Sequence, residues 1–303
     1  MKVSIVMPAY NAANTIAESI ESVLRQSYQN WELIIVNDCS KDNTVQIINR
    51  YIAQHDNIKL IDLEVNQGPC LARNIGIKCA TGDYICFLDS DDLWHPSKLE
   101  LQTSFHHQHP YKISHTNFIF FNGNGIVRRP WKNLIQLGMK KSGKLLDQLY
   151  QENVVGILTV MVKRDILLDL GGFDPEIPAL EDYDLWIRIA EAGYEYGYID
   201  KKLADYRVVN GSLSNSPSKY KRVFKKFIRK HINKHIGNPK LKGQIWGNYY
   251  RYFGTVYFKN KKYKLSILYF KKAISLHKTG FISFTTFLYM LIASFKIKFN
   301  KIG

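Results

Sequence analysis

The first 88 residues alternate between short apolar runs and amphipathic segments, and this alternation restricts the fold more than any other feature. The apolar runs predict buried strands at Val3–Met7, Glu32–Asn37, Ile58–Leu63 and Tyr84–Leu88, separated by helices that begin at Thr15, Thr44 and Pro69. The first of these helices is predicted from a capping box formed by Thr15 and Glu18. Strands and helices that alternate through short connections form a parallel sheet with right-handed crossovers. The sequence therefore predicts an α/β fold.

Three polar loops follow the first, second and fourth predicted strands. They span residues 8–14, 38–44 and 89–94. In open α/β sheets, ligands bind outside the carboxyl ends of the strands. We therefore expect these three loops to converge on one crevice, which is the predicted ligand site.

The third of these loops is unusually acidic, because Asp89, Asp91 and Asp92 lie within four positions after a buried strand. Crowded carboxylates repel one another and rarely stand at the end of a buried strand without a cation. Mg²⁺ and Mn²⁺ prefer oxygen ligands and often share them with substrate phosphates. The pattern predicts a divalent-metal site. The alternative is an acidic loop that caps a helix beginning near Pro96.

Charge is divided unevenly along the chain. Residues 1–215 hold 21 Lys and Arg against 26 Asp and Glu, a net charge of −5, whereas residues 216–303 hold the other 21 basic residues and no acidic one. Such a division indicates two regions with different roles. The four cysteines lack paired-ligand spacing and no secretory signal precedes the first strand, so we expect reduced thiols in a cytoplasmic protein.

The stretch from 97 to 215 predicts further helices and strands. The predicted strands are Ile113–Phe121, Val154–Val162, Tyr196–Ile199 and Leu203–Arg207, and the predicted helices are 97–109, Lys163–Leu170 and Leu180–Ala192. The last helix should end at Gly193, which suits the left-handed conformation after a helix. Its first turn holds Glu181, Asp182 and Asp184, where the helix dipole favours anions.

Five motifs in this part of the chain, in this order and spacing, resemble those of the family 2 glycosyltransferases, which have the GT-A fold. They are Val3–Asn11, Val36–Thr44, Asn66-Gln67-Gly68 with Arg73-Asn74, Asp89-Ser90-Asp91-Asp92, and Gly171–Asp174 leading to Glu181–Trp186. The resemblance covers about residues 1–215. It implies a Rossmann-like, mostly parallel central sheet with flanking helices, to which residues 216–303 add a basic α-helical region.

The resemblance assigns a nucleotide-sugar site. It implies that Pro8, Ala9, Tyr10 and Asn11 line the nucleotide pocket, with Tyr10 as an apolar platform for a planar base. Asp38 would accept a hydrogen bond from the base. The structural alternatives are a core aromatic for Tyr10 and a turn or helix-cap residue for Asp38.

Arg73 and the acidic loop are the residues expected to contact the diphosphate in that site. The resemblance implies that Arg73 approaches the nucleotide or its phosphates, although a surface helix cation is the alternative. The resemblance also implies that Asp89 and Asp91, with Ser90 between them, form the DxD element that would hold Mg²⁺ or Mn²⁺ against the diphosphate. Asp92 is either a third contact or the cap of the next helix, and the cap is slightly favoured.

The resemblance places the general base of an inverting transfer at Asp182. A carboxylate there would take the proton from the acceptor hydroxyl. Glu181 is the competing candidate, and both residues have the alternative role of anions at a helix start. Trp186 would line the sugar or acceptor site, with core packing at least as plausible.

One departure from the family concerns residues 206–214, which resemble its closing loop. Many members carry His where this chain has Val209. Because Val209 cannot bind a metal as a His can, the metal would be bound by the Asp cluster, the diphosphate and water. Arg207 would then neutralise more of the diphosphate charge.

The basic region predicts two helices, Tyr249–Lys259 and Lys262–His277, with the spacing of one tetratricopeptide-like unit. The uncharged run Phe281–Phe295 is shorter than the ~20 residues of a membrane span. Because Lys and Arg near anionic lipid contribute roughly 1 kcal/mol each, we expect a peripheral protein on the inner face of the cell membrane. Its acceptor would be a lipid-linked saccharide or a growing glycan. A solvated helical cap is the alternative.

The favoured function is transfer of a sugar from a nucleotide-sugar into a surface polysaccharide, with a UDP-sugar as the expected donor. One alternative is a nucleic-acid-binding protein that uses the basic tail, but residues 1–215 are net acidic and hold no usual nucleic-acid module. No specific nucleic acid is therefore expected as a partner. The other alternative is an inactive membrane scaffold, against which the presence of Asp89, Asp91 and Asp182 argues.

Overall fold

The structure is a computed structural model that describes residues 1–122, 125–127, 142–150, 152–208, 217–233, 239–276 and 281–299. The chain divides into two compact units. The first contains the described residues of Met1–Pro130, Lys140–Leu146 and Val154–Asn210. The second contains those of Asp147–Asn153 and Gly211–Gly303.

The described residues of the first unit form one mixed sheet of nine strands. These are β1 (Val3–Ala9), β2 (Trp31–Asn37), β3 (Ile58–Asp62), β4 (Tyr84–Phe87), β5 (Leu93–Trp94), β6 (Ile113–Asn122), β7 (Gly125–Ile126), β8 (Met161–Lys163) and β9 (Tyr196–Arg207). Their order is β3-β2-β1-β4-β8-β6-β9-β5, with β7 paired to β6. Strands β1 to β4 are mutually parallel, as the alternation predicts, whereas β8 is antiparallel to both β4 and β6.

Helices cover this sheet and account for the buried faces of its central strands. The helices of the first unit are α1 (Ile16–Leu24), α2 (Thr44–Ile52), α3 (Pro69–Cys79), α4 (Lys98–Gln108), α5 (Leu146–Leu149, which continues into the second unit), α6 (Arg164–Asp169) and α7 (Glu181–Glu191). Every residue of β1 and β2 is buried. Strands covered on both faces read as continuous apolar runs, which is why the sequence locates them so well.

Three local predictions are wrong. Thr15 precedes α1, but its hydroxyl donates to the Ser90 carbonyl (2.9 Å), so no capping box forms. Most of Val154–Val162 is not a strand: Ile157–Thr159 is a 3₁₀ turn, and the Leu158 carbonyl accepts from the Trp94 indole (2.9 Å). The two strands predicted after Gly193 are one strand, β9, because pairing with β6 continues across register shifts near Asn117.

The described part of the second unit is mainly helical. Its helices are α8 (Pro217–Asn233), α9 (Pro239–Lys259), α10 (Tyr263–Leu276) and α11 (Phe281–Phe299). The predicted pair of helices is present as the last turns of α9 and the whole of α10, which meet where the Phe270 ring lies against Gly254. Of the described helices, none has the length and apolar composition needed to cross a bilayer.

Candidate active site

The three predicted loops do meet at the carboxyl edge of the parallel strands. Asn11 links the first two, because its N–H donates to Ser40 Oγ (2.9 Å) and its Oδ1 accepts from the Lys41 N–H (2.8 Å). α1 links the first loop to the acidic one, because Ser19 Oγ donates to the Asp92 carbonyl (2.8 Å). The three loops are therefore adjacent, as expected, and a ligand crevice between them stays a prediction.

The first loop begins at the buried end of β1. Pro8 and Ala9 are buried strand residues that pair with Val36 and Asn37, and their contact with a nucleotide stays a prediction. Tyr10 is 52% exposed and so is not a core aromatic. Its ring is available to a planar ligand, and the contact with a base stays a prediction.

Asp38 lies directly after β2 and organises the loop before α3. Its two carboxylate oxygens accept from the N–H groups of Gln67 (2.7 Å) and Gly68 (2.8 Å), and the residue is 3% exposed. Gly68 adopts a φ of 84°, which few other residues tolerate, and it precedes the first residue of α3. The observed contacts match the cap role considered from the sequence. The hydrogen bond to a base remains a prediction that would use a second lone pair of these oxygens.

Arg73, on α3, joins the acidic loop to the start of α7. Its guanidinium donates to Asp89 Oδ1 (2.7 Å) and to Glu181 Oε1 (2.9 Å). The side chain is 6% exposed, so Arg73 is not a surface cation. Burial alone would lower the pKa of Arg73, but the carboxylates of Asp89 and Glu181 raise it. A permanently charged arginine thus holds together two motifs that are 92 residues apart in sequence.

The acidic loop concentrates negative charge in a buried place. Burial and the neighbouring Asp89 raise the pKa of Asp91 to about 6. Burial, with Asp89 and Asp91, also raises the pKa of Asp92, whose Oδ1 accepts from the Arg207 N–H (2.8 Å). The next helix begins at Lys98, so Asp92 is not its cap and that prediction is wrong.

The three acids at the start of α7 have different surroundings. Glu181 is buried and paired with Arg73, and Asp184 is buried and paired with Arg188 (2.8 Å). Asp182 is partly exposed, and its Oδ1 accepts from the Tyr183 N–H (2.7 Å). Among the three, Asp182 is therefore the carboxylate that a solvent-borne hydroxyl can reach.

Trp186 does not line the site. Its side chain is 0% exposed, and its carbonyl accepts from the Tyr196 hydroxyl (2.7 Å) in the core. The suggested contact with the sugar or acceptor is therefore corrected to core packing.

Arg207 closes the acidic loop from the end of β9. Its Nε donates to the Asp91 carbonyl (2.7 Å), its Nη2 pairs with Glu18 (2.6 Å), and its guanidinium lies 4.5 Å from the centre of the Phe121 ring. These contacts position Arg207 beside the predicted diphosphate site while occupying much of its hydrogen-bonding capacity. The closing loop beyond Val208, including Val209, lies outside the described residues.

Sequence reasoning missed a pair of hydrogen bonds that joins α3 to the turn after α6. The Asn74 amide donates to the Phe173 carbonyl (2.7 Å) and accepts from the Phe173 N–H (2.8 Å). Gly172, at a φ of 68°, leaves room for this amide, because a Cβ there would lie 2.3 Å from Asn74 Oδ1. The signal was the Gly171-Gly172 pair, which predicted a turn without indicating its partner on α3.

Comparison with known proteins agrees with this arrangement. The sequence profile described as "Glycosyl transferase family 2" matches residues 4–169. The chain is 36% identical over 224 residues to the Escherichia coli UDP-Glc:alpha-D-GlcNAc-diphosphoundecaprenol beta-1,3-glucosyltransferase WfgD, covering 72% of this chain and 81% of that protein. It is 32% identical over 213 residues to the amylovoran biosynthesis glycosyltransferase AmsB of Erwinia amylovora, covering 68% and 69%.

Solved structures show the same fold at low sequence identity. The chain superposes on S. aureus TarS 1–349 in complex with UDP-GlcNAc with a TM-score of 0.67 at 22% identity, covering 91% of this chain and 81% of that one. It superposes on the mannosyltransferase PcManGT of Pyrobaculum calidifontis, in complex with GDP-Man and Mn²⁺, with a TM-score of 0.62 at 17% identity, covering 99% and 88%. The chain therefore belongs to glycosyl transferase family 2 and has the GT-A fold.

Proposed function

We propose that this glycosyltransferase moves a sugar from a UDP-sugar, with inversion, to a glycan or lipid-linked saccharide during synthesis of a surface polysaccharide such as O-antigen, capsule or exopolysaccharide. The names of the relatives in E. coli and E. amylovora support the sugar-transfer pathway. The UDP-Glc donor in the E. coli name and the UDP-GlcNAc bound by TarS support a UDP-sugar. Family membership favours this enzyme over the nucleic-acid-binding protein and the inactive scaffold.

The observation that carries the proposal is the buried bridge through Arg73. It links Asp89, on the predicted diphosphate side, to Glu181, the neighbour of the proposed base. A transferase needs its donor and its base held at a fixed separation, because misplacement of reacting groups by about 1 Å is costly. The bridge would fix that separation by tying the acidic loop, through Arg73 of α3, to the first residue of α7.

Asp182 is the proposed general base. A bond forms between the acceptor oxygen and the anomeric carbon, the bond from that carbon to the diphosphate breaks, and the acceptor proton passes to the Asp182 carboxylate. Glu181 is less suited to this role, because it is buried and its Oε1 already accepts a hydrogen bond from Arg73 (2.9 Å). Asp182 is partly exposed and lies at the helix start, where an acceptor hydroxyl has access.

The acidic loop fits a divalent ion held between Asp89, Asp91 and the donor. Burial and the neighbouring Asp89 raise the pKa of Asp91, so a cation there would stabilise its ionised form. Carboxylate oxygens are the ligands that Mg²⁺ and Mn²⁺ prefer. Among the described residues, no set of three or more acidic, His or Cys side chains is arranged to hold a metal, so further oxygens must come from the diphosphate and water. When bound, the ion supplies Lewis acidity that stabilises the departing nucleoside diphosphate.

On the nucleotide side, we propose that the Tyr10 ring stacks on the base and that Asp38 and the loop from Pro8 to Asn11 surround it. We also place the protein at the inner face of the cell membrane, where a lipid-linked acceptor is available. The 21 basic residues and absence of acidic ones after residue 215 support attraction to anionic lipid.

Nucleotide release by the purified full-length chain from a panel of UDP-sugars, with and without Mn²⁺, tests the enzyme. We expect Asp182→Asn to lower turnover by about 10²–10⁴-fold with little change in KM, because it removes a general base. Asp169→Asn, an exposed acid on α6, is the matched control and should retain activity. Full activity of Asp182→Asn, or no turnover of any nucleotide-sugar by the wild type, would contradict the proposal.

A further inference from the structure

The helix pair α10 and α11 exposes more apolar surface than its packing accounts for. Of the eleven large apolar side chains exposed among the described residues, six lie on these two helices and are 38–48% exposed. They are Leu265, Leu268, Leu276, Phe287, Leu291 and Ile292, which together we name the α10–α11 face. Exposed large apolar side chains concentrated on two neighbouring helices favour an interaction site.

On each helix these side chains lie away from the buried residues. On α10, Ser266, Phe270 and Ala273 are buried, and the exposed leucines fall between them at helical spacing. On α11, Ala293 is buried while Leu291 and Ile292, next to it in sequence, are exposed. An apolar residue on nearly every side of a helix indicates burial all round, yet here one side remains uncovered.

The residues around this face are positively charged, which favours an anionic partner. Lys264, Lys271 and Lys272 are exposed on α10, and Lys296 is exposed near the end of α11. An open recess of about 330 Å³, lined by residues 261–265 with three lysines among them, lies at the start of α10. No acidic residue occurs after residue 215, so these lysines have no side-chain carboxylate within residues 216–303 with which to pair.

Lysines interleaved with leucines fit an anionic bilayer surface, in which apolar side chains enter the acyl boundary and ammonium groups meet phosphates. A second copy of the same face fits poorly, because a two-fold interface sets each patch against itself and would place lysines against lysines. We propose that the α10–α11 face inserts into the surface of a membrane containing anionic lipid, with the lysine-lined recess on headgroup phosphates. This inference rests on the proposed membrane location and replaces a purely electrostatic attachment with insertion at named residues.

The test is cosedimentation of the full-length protein with phosphatidylcholine vesicles, with and without phosphatidylglycerol, at low and high salt. We expect the wild type to bind the anionic vesicles and to retain part of that binding at high salt. Leu265→Ser/Leu268→Ser and, independently, Phe287→Ser/Leu291→Ser should each lower the partition coefficient by about tenfold. Lys264→Gln/Lys272→Gln should lower it at low salt only, because screening already weakens these charges at high salt.

Leu168→Ser is the matched control, because Leu168 is equally exposed on α6 of the first unit and should not affect vesicle binding. The two apolar double variants lie on different helices, so misfolding of one, detected by thermal unfolding, leaves the other as the test. Vesicle binding equal to wild type in the folded variants would overturn the proposal. So would a dimer in lipid-free sedimentation that these substitutions dissociate, because a second copy would then cover the face. Nucleotide release in the same preparations reports separately on the proposed transferase.

Discussion

Glu32 stands at the opposite end of the sheet from the candidate site, and its surroundings predict a strong pH dependence of stability. Its Oε1 accepts from Ser4 Oγ, Thr81 N–H and Thr81 Oγ (each 2.7 Å), and its Oε2 pairs with Lys59 (3.2 Å) and Lys2 (3.3 Å). Burial alone would raise the pKa of Glu32, but the hydrogen bonds from Ser4, Thr81 and Lys59 lower it to about 2.

This shift sets the size of the effect. The pKa falls from 4.5 to about 2, and one pKa unit corresponds to about 1.4 kcal/mol, so the ionised form contributes up to about 3 kcal/mol. Lys2 and Lys59 are 38% and 55% exposed, so solvent screens part of this and about 2 kcal/mol remains. Because the folded-state pKa lies below the unfolded one, the contribution is complete above pH 4.5 and is lost as the pH falls towards 2.

We therefore expect Glu32→Gln to lower the free energy of unfolding by about 2 kcal/mol at pH 7, and by progressively less as the pH falls below 4.5. Urea unfolding followed by circular dichroism at several pH values measures both quantities. Glu21→Gln is the matched control, because Glu21 is 51% exposed and pairs only loosely with Arg25 (3.5 Å), so its effect should stay below about 0.5 kcal/mol. A loss for Glu32→Gln that is the same at pH 7 and pH 3 would refute the reasoning. Nucleotide release by the folded variant should match wild type.

Three further outcomes follow from other contacts. Arg73→Lys should lower the free energy of unfolding by about 3 kcal/mol and reduce turnover, because one ammonium cannot bridge Asp89 and Glu181. Adding Glu181→Gln to this variant should recover part of the free energy of unfolding but not the turnover. Lys98 is fully buried, and burial lowers its pKa from 10.5 to about 8. The free energy of unfolding of the wild type should therefore rise between pH 8 and 10.5, because the unfolded chain binds this proton more tightly. Unfolding experiments on Lys98→Met should lack this rise. Gly254→Ala places a Cβ 2.5 Å from the Phe270 ring. It should lower the free energy of unfolding by about 1–3 kcal/mol, measured as a lower melting temperature. An unchanged melting temperature would show that α9 and α10 do not pack this way.

The sequence was most informative where one face or both faces of an element are apolar. The four parallel strands and the loops at their carboxyl ends were predicted within a few residues, because strands buried on both faces form near-continuous apolar runs. It was least informative where tertiary contacts override the local pattern. The apolar run around Leu158 is a turn because the Trp94 indole and the Phe118 ring meet it there.

The amino-acid sequence by itself determined the fold class, the family and the set of polar residues that gather at one sheet edge, since periodicity and motif order are properties of the chain alone. Only the tertiary structure decided which of those residues pair. Arg73 pairs with Asp89 and Glu181. Arg207 pairs with Glu18 and contacts the acidic loop, and the Asp38 carboxylate accepts hydrogen bonds from the turn before α3. It also placed Trp186 in the core. The physical reason is that a charged side chain takes its partner from whichever element the fold brings within about 3 Å, and that distance has no counterpart in sequence spacing.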